Sequence, residues 1–341
     1  MKRSLFFVTV FTLIFCMLAA CGPEESPDTP SGTSSHSNPF AEGAAAGTTI
    51  NAFYSFGVDG YDNREARIEY TGSPIKLDFF IDNLASPCEV GILIFLNGQL
   101  QPYSIEGQAD LENMHRFQLK EQEKKTFSIL FDPVTGKRGE EVVVHFVGML
   151  NPSFTPKAAS VVFGNNHNIL QTSPYKLVMH KAANAKPADF SGEGTSTDFT
   201  HDFTQRYTMR NADGSVRNLL EERTFFQISD QNGDPLQTVS LKNDPLSLDI
   251  QLFGGQEATY LISLYCNHQQ LACFNGKPYI ALTNKKGCVN TVTASLDANH
   301  LELSEYNHLY AIAVPIDKVF SAKAESILKT GSAVLTRSSQ G

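Results

Sequence analysis

Short apolar runs bounded by turn residues are the feature that most limits how this chain can fold. Residues 91–96 read GILIFL, residues 126–131 read TFSILF and residues 142–147 read VVVHFV. Runs of this length, rich in β-branched side chains and bounded by Asn-Gly or Asp-Pro, are typical of strands covered on both faces. We therefore expect several fully buried strands in the first half of the chain.

Other segments alternate apolar and polar residues, which predicts strands with one solvated face. Residues 65–70 (EARIEY) and residues 76–82 (KLDFFID) both show this period. Asn-Gly pairs at 97–98, 232–233 and 275–276 supply turns between strand-like segments. The best helical window is short, at residues 321–329. Many short strands with few helices predict a mostly β chain built from two tandem β-sandwiches, immunoglobulin-like or jelly-roll-like.

A small, polar and turn-rich segment divides the strand-rich region. Residues 183–196 read ANAKPADFSGEGTS, and a body of normal sandwich size lies on each side. The predicted domains are therefore residues 50–182 and residues 197–341, with 183–196 as linker. The second domain is expected to end in a short helix or tail, and the two domains to join end to end.

The two predicted domains share a sequence pattern that favours an internal duplication over chance similarity. Pro74, Leu77 and Asp78 match Pro245, Leu248 and Asp249. With one gap, the matches continue over the turn that follows: Asn97 with Asn267, and Gln99-Leu100 with Gln270-Leu271. Further along, residues 115–117 (HRF) are aligned with residues 300–302 (HLE).

The first residues of the chain carry a targeting signal. Lys2 and Arg3 precede an apolar core over residues 5–18, which is too short and wrongly flanked for an ordinary membrane span. The segment ends in Leu-Ala-Ala-Cys at residues 18–21, which resembles the lipobox of bacterial lipoproteins. The resemblance implies that residues 1–20 are a signal peptide and that Cys21 is acylated, palmitate included. The mature chain would then be held at the cell membrane on its extracytoplasmic side by acyl chains.

Residues 21–49 form the predicted tether between this anchor and the sandwiches. They are rich in Pro, Ser, Gly, Thr and Ala, with Phe40 as the one large apolar side chain. Such a segment buries too little apolar area to offset its ordering entropy, so we expect it to be disordered. Loss of Lys2 and Arg3 with the signal leaves 25 basic and 36 acidic residues, a formal charge of −11. Nucleic acid is therefore excluded as an expected partner.

Four cysteines follow Cys21. Cys266, Cys273 and Cys288 lie close in sequence, and outside the cytoplasm a disulfide among them can persist. We predict Cys273–Cys288 as the first choice, with Cys88 as a buried thiol. Their spacing does not fit a metal site, because there is no Cys-x-x-Cys pair and His268 is the one nearby histidine.

No local motif in the sequence predicts a catalytic residue, a metal site or a cofactor. Neither a nucleophile elbow nor a paired-histidine zinc motif occurs. His145 is interpreted as a core or edge histidine, and His167 and His201 as loop or strand-end residues. The oxygen-rich segments at 230–234 and 59–63 are interpreted as turns, with weak Ca²⁺ binding as the alternative. The chain has no Trp, so glycan binding would depend on Tyr54, Tyr61, Tyr70, Tyr103 and Tyr175.

These observations predict a lipid-anchored, extracytoplasmic surface protein that is a non-enzymatic binding or structural module. Its expected partners are the membrane, through the lipid, and an envelope protein or polymer. The first alternative is an envelope hydrolase whose site is assembled from distant loops. The second is a solute-binding lipoprotein, which the scarcity of helix disfavours.

Overall fold

A computed structural model of the chain describes residues 53–60, 67–108, 110–156, 163–185, 188–192, 194–230, 233–241, 245–297, 299, 301–317, 319–320 and 326–337. These residues fall within one compact unit, Gly47–Gly341. The predicted signal peptide, Cys21 and the predicted tether lie outside the described residues.

The first β-sandwich contains eleven strands among the described residues. They are β1 (Tyr54–Val58), β2 (Arg67–Tyr70), β3 (Ile75–Asn83), β4 (Cys88–Leu96), β5 (Gln99–Leu100), β6 (Ser104–Ile105), β7 (Met114–Leu119), β8 (Lys124–Phe131), β9 (Glu141–Leu150), β10 (Ile169–Gln171) and β11 (Tyr175–Met179). One sheet has the order β1-β3-β8-β6. The other has the order β2-β11-β9-β4-β5, with β10 paired to β9 and β7 paired to β4.

The second β-sandwich follows β11 in the chain. Its described elements are β12 (Thr195–Asp198), α1 (His201–Arg206), β13 (Thr208–Arg210), β14 (Val216–Asn218), α2 (Leu219–Glu222), β15 (Thr224–Ser229), β16 (Thr238–Leu241), β17 (Leu246–Gly254), β18 (Ala258–Cys266), β19 (Gln269–Gln270), β20 (Ile280–Asn284), β21 (Cys288–Leu296), β22 (Asn307–Pro315), β23 (Leu328–Lys329) and β24 (Ala333–Arg337). The sheets are β12-β21-β17-β15 and β16-β24-β22-β18-β19, with β20 on β18 and β23 on β22. The β13–β14 hairpin stands apart from both sheets.

The prediction of a mostly β chain with tandem β-sandwiches is confirmed. Both helices within the described residues are too short to span a bilayer. The helix expected over 321–329 is wrong where it can be compared, because Leu328 and Lys329 form β23 on β22. Residues 321–325 lie outside the described part of the chain.

The larger sheets of the two sandwiches share one strand order. Both contain a strand that pairs in parallel with the final strand, β2 with β11 and β16 with β24. Asn97 and Asn267 occupy the same turn and make the same bonds: Asn97 Oδ1 accepts from Val143 N, and Asn267 Oδ1 accepts from His308 N. The matches of β3 with β17 and of Asn97 with Asn267 therefore agree with the folded positions.

Two of the predicted matches are displaced. Gln99 pairs with Leu96 and Gln269 pairs with Cys266, so Gln99 corresponds to Gln269 rather than Gln270. Strand β7 pairs with β4 as β20 pairs with β18. His115 therefore corresponds to Ile280, and its alignment with His300 is wrong.

The sandwiches pack through the faces of their larger sheets rather than end to end as expected. Side chains of β4 and β9 alternate between two cores: Ile94 and Phe146 face the interior of the first sandwich, whereas Phe95 and Val147 face the second sandwich. The second sandwich contributes Tyr265, Tyr310, Ile312 and Val314 to this shared core. The second sandwich is thus what covers the outer face of the predicted buried strands.

Candidate functional site

Three histidines meet at the boundary between the sandwiches. His167 lies in the loop between β9 and β10, His268 in the turn between β18 and β19, and His308 on β22. One ring nitrogen from each lies within 4.8 Å of those of the other two. All three are buried, with exposed fractions of 0%, 6% and 5%. We call these residues the histidine cluster.

Hydrogen bonds fix two of the rings. His167 Nε2 donates to Phe154 O at 2.9 Å, and His268 Nε2 donates to Pro152 O at 2.7 Å, because a carbonyl oxygen only accepts. Each Nδ1 is therefore an acceptor: that of His167 accepts from Ser332 Oγ at 3.1 Å, and that of His268 accepts from the Tyr310 hydroxyl at 2.8 Å. Both imidazoles are held as neutral Nε2–H tautomers.

His308 is held differently, since neither of its ring nitrogens has a hydrogen-bond partner among the described residues. Its ring centroid lies 4.3 Å from that of His268 and 4.7 Å from that of His167. A buried polar group without a partner is costly and rare. The first sandwich has Val143 at the corresponding position, so the fold itself does not require a histidine here.

The backbone at the other two histidines is unusual. His167 has φ of 65° and His268 has φ of 66°, in the left-handed region that favours glycine. The position that matches His268 in the first sandwich is Gly98, with φ of 81°. A side chain in this conformation is strained, and such strain concentrates at functional sites.

Burial sets the electrostatics of the cluster. Desolvation lowers the pKa of His167 to about 3, of His268 to about 4 and of His308 to about 2. It also lowers the pKa of Lys329 to about 7. Lys329 Nζ donates to Ser332 Oγ at 2.9 Å, and the Ser332 hydroxyl in turn donates to His167. The cluster is therefore a group of neutral nitrogen ligands at neutral pH.

Open clefts reach the cluster from two sides. A cleft of about 680 Å³ is lined by Tyr54, Phe163 and His167 from the first sandwich and by Lys329 and Ser332 from the second. A cleft of about 600 Å³ is lined by residues 111–114 and Arg116, together with His268. The two clefts therefore border the cluster, one at His167 and the other at His268.

The structure separates the other candidate residues. His145 faces the second sandwich and is buried, and its two nitrogens have no partner among the residues that the structure describes. His201 lies exposed on α1 and contacts Gln205. Asp230 closes a turn, in which its carboxylate accepts from Asp234 N at 3.0 Å, whereas residues 61–66 and 231–232 lie outside the described part of the chain. Four of the five tyrosines proposed for sugar stacking are buried, namely Tyr54, Tyr70, Tyr103 and Tyr175, and Tyr61 is not described.

The predicted Cys273–Cys288 disulfide does not form in this structure, in which Cys88, Cys266, Cys273 and Cys288 are free thiols. Cys288 begins β21, whereas Cys273 O accepts from Ser295 N near the other end of that strand. The intervening length of strand is about 23 Å at 3.3 Å per residue. A disulfide needs Cα atoms within about 7 Å.

The sequence predicted no metal site, and the cluster was missed because its members lie far apart in the chain. One signal was available at His268. If Asn97-Gly98 is aligned without a gap to Asn267-His268, the second sandwich has a histidine where the first has a left-handed glycine. A bulky residue at such a turn position indicates a constraint other than folding.

No protein-family model matches the chain, and no curated protein matches it. Solved structures resemble it at low identity. They include the CsuC–CsuE chaperone–tip adhesion subunit complex of Acinetobacter baumannii (11% identity, 84% of this chain, 100% of that chain, TM-score 0.21). The SafA pilin in complex with the SafB chaperone of Salmonella enterica is 9% identical, with 83% of this chain and 95% of that chain covered and a TM-score of 0.24. The fibronectin(III)-like modules of Clostridium thermocellum CbhA are 7% identical, with 83% of this chain and 95% of that chain covered and a TM-score of 0.19. All three TM-scores are low, so these likenesses carry no argument about this chain.

Proposed function

We propose that this protein is a lipid-anchored, extracytoplasmic module that presents a rigid pair of β-sandwiches to a protein partner, by binding rather than catalysis. The observation that carries the proposal is the apolar core shared by the two larger sheets. Phe95 and Val147 of one sandwich pack in it with Tyr310 and Ile312 of the other. Such a core fixes the two sandwiches as one body, which suits display of a surface at a constant geometry.

The surface assigned to the partner is the segment from α1 to α2, which includes the β13–β14 hairpin. On the hairpin, Met209 is 49% exposed and Val216 is 62% exposed. Large apolar side chains on a projecting hairpin favour contact with a protein over contact with a polysaccharide. The segment has no counterpart among the described residues of the first sandwich.

An aromatic cluster supports this hairpin from below. Phe203 of α1 packs on Phe253 of β17 with ring centroids 5.2 Å apart, and Phe225 stacks on Phe253 at 5.3 Å. Tyr207 joins them at 4.8 Å from Phe225. Thr200 caps α1 by accepting from Phe203 N at 3.1 Å. The hairpin is therefore held on a rigid base, which lowers the entropic cost of binding.

The anchor is tested by Cys21→Ala, with Cys16→Ala in the apolar core of the predicted signal as its matched control. We expect Cys21→Ala to abolish labelling by an alkyne-palmitate analogue and to release the protein from membranes or leave it unprocessed. Cys16→Ala should behave as the unaltered chain does. Acylation and membrane retention that persist in Cys21→Ala would contradict the proposal.

The hairpin is tested by placing a photo-crosslinking residue at Val216 in living cells, with Leu84 as the control site because it is 49% exposed on the first sandwich. A protease-sensitive adduct of discrete mass is expected from position 216 alone. Competition by excess purified protein should remove it, whereas competition by the Met209→Ser/Val216→Ser variant should not. Identical adducts from both sites, or none from position 216, would count against the hairpin as the binding surface.

A further inference from the structure

We propose that His167, His268 and His308 bind one Zn²⁺ ion at the boundary between the two sandwiches. One sandwich supplies one ligand and the other supplies two. Imidazole nitrogen is a preferred ligand of Zn²⁺, and three histidines with a fourth position open to solvent or substrate form a known class of zinc site. The ion would thus join two bodies that are otherwise held by apolar packing and a few hydrogen bonds.

The hydrogen bonds around the cluster match those that orient histidine ligands. A metal-bound imidazole commonly donates its second nitrogen to a backbone carbonyl, which fixes the tautomer and leaves the other nitrogen free to ligate. His167 and His268 make this donation to Phe154 O and Pro152 O. Their acceptor nitrogens are now occupied only by the hydroxyl groups of Ser332 and Tyr310, which an ion would displace.

His308 supplies an independent observation that points to a ligand. It is 5% exposed, and within the described part of the chain neither of its nitrogens has a partner, although two other imidazoles lie beside it. A metal ion would give one of these nitrogens the partner that the described residues do not provide. A valine, such as Val143 at the corresponding position of the first sandwich, has no polar side-chain atom that needs a partner. Packing alone therefore does not account for the histidine.

The spacing of the nitrogens is close to what zinc requires. Ligands 2.0–2.1 Å from a tetrahedral ion lie about 3.3 Å apart. The cluster nitrogens lie within 4.8 Å of one another, so ring rotations that shorten the distances by up to about 1.5 Å would complete the site.

Lys329 opposes the ion. Lys329 Nζ donates at 2.9 Å to the Ser332 hydroxyl, which is itself bonded to His167 Nδ1, so the ammonium group lies beside the proposed site. Removal of this charge while the length of the side chain is kept, in Lys329→Met, should therefore tighten zinc binding. This expectation separates the proposed site from a purely structural hydrogen-bond network, for which Lys329→Met would change stability but not zinc affinity.

The test uses the full chain, purified in detergent and freed of metal by dialysis against a chelator. Zn²⁺ is titrated against a chromogenic competitor, and bound metal is measured by mass spectrometry. We expect one equivalent of zinc, an increase of the melting temperature with zinc, and the intense visible absorption of tetrahedral Co²⁺ when cobalt replaces it.

His308→Val and His268→Gly should lose the bound equivalent, the cobalt absorption and the zinc-dependent increase of the melting temperature. Both variants copy the residue found at the corresponding position of the first sandwich, so they are expected to fold, which circular dichroism will check. The matched control is His180→Gln, which removes an exposed histidine that contacts Glu69. The proposal is overturned if the unaltered chain binds no stoichiometric zinc. It is equally overturned if His308→Val binds zinc as well as the unaltered chain and the His180→Gln control do, or if only His180→Gln loses the ion.

Discussion

The backbone amide of Leu100 in the first sandwich donates a hydrogen bond to the phenol oxygen of Tyr279 in the second, at 2.9 Å. Both residues are buried, with exposed fractions of 5% and 6%. The bond gives the backbone amide at the end of β5 a hydrogen-bond acceptor from a side chain that lies far away in the sequence. Ile327 N makes a comparable bond across the boundary, to Gln171 Oε1 at 2.8 Å. The boundary is therefore specified by directional bonds as well as by apolar packing.

Tyr279→Phe should reduce the free energy of unfolding by about 1–3 kcal/mol, because it leaves the buried amide of Leu100 without a partner. Chemical denaturation followed by circular dichroism measures the change. Tyr306→Phe is the matched control: it removes the hydroxyl of a half-buried tyrosine just before β22 and should cost less than about 1 kcal/mol. Equal effects of the two variants would show that the Leu100 bond is not important for stability.

Phe95→Ala and Ile94→Ala are neighbours on β4 that should affect different parts of the protein. Truncations of this kind cost about 3–5 and 2–5 kcal/mol, respectively. Phe95 packs against the second sandwich, so Phe95→Ala should accelerate amide hydrogen exchange in both β4 and β22. Ile94 faces the interior of its own sandwich, so Ile94→Ala should accelerate exchange in β4 and β3 and leave β22 protected. Equal acceleration in β22 would contradict the shared core.

His145 should make stability depend on pH. Burial lowers the pKa of His145 from 6.5 to about 4, because it disfavours the charged ring, so the folded state favours the neutral form. The unfolded chain binds a proton first as the pH falls through 6.5. Stability is therefore complete above pH 6.5, declines between 6.5 and 4, and falls no further below 4 through this group. The loss amounts to about 3 kcal/mol.

His145→Leu should remove this contribution. Urea unfolding of the variant and of the unaltered chain at pH 7.5 and pH 4 gives the difference, in which the other buried histidines cancel. His201→Gln, a substitution at an exposed position on α1, should keep the pH dependence of the unaltered chain. A decline between pH 6.5 and 4 that is as steep in His145→Leu as in the unaltered chain would refute the prediction.

The four described cysteines should react as thiols, at different rates. Burial raises the pKa of Cys266 to about 11 and of Cys273 to about 12, which slows alkylation, and Cys88 is also buried. Cys288 is the most exposed of the four. A brief treatment of the native protein with maleimide should therefore label Cys288 before the other three. After unfolding without a reductant, mass spectrometry should find all four labelled, and an unlabelled Cys273–Cys288 peptide would restore the predicted disulfide.

The strands were predictable from sequence because their periodicity records burial directly. The run at residues 91–96 indicated a strand covered on both faces, and Ile94 and Phe95 do pack into different cores. What covers the second face was not predictable, because any apolar sheet would produce the same pattern. The end-to-end arrangement was therefore wrong even though the strands themselves were expected.

The histidine cluster was not predictable for a different reason. His308 lies on a strand and His268 in a turn, and they meet because His308 N donates to the side chain of Asn267. His167 joins them only because the sheets of the two sandwiches face each other. Its position depends on the loop after β9, for which the sequence shows no periodic signal. Contacts that depend on packing between domains leave little trace in local patterns.

The parallel pairing of β16 with β24 has a consequence for the order in which the protein can be made. Thr238 lies beside Val334, so β16 must wait for almost a hundred further residues before its partner exists. In the first sandwich, β2 likewise cannot pair until β11 has been synthesised. During synthesis each sandwich therefore remains an open assembly with an unprotected strand until its closing strand emerges. The larger sheet of each sandwich can therefore be completed only late in the synthesis of that sandwich. Because closure of such long loops is slow, the unpaired strand is exposed to misassociation until its partner strand is in place.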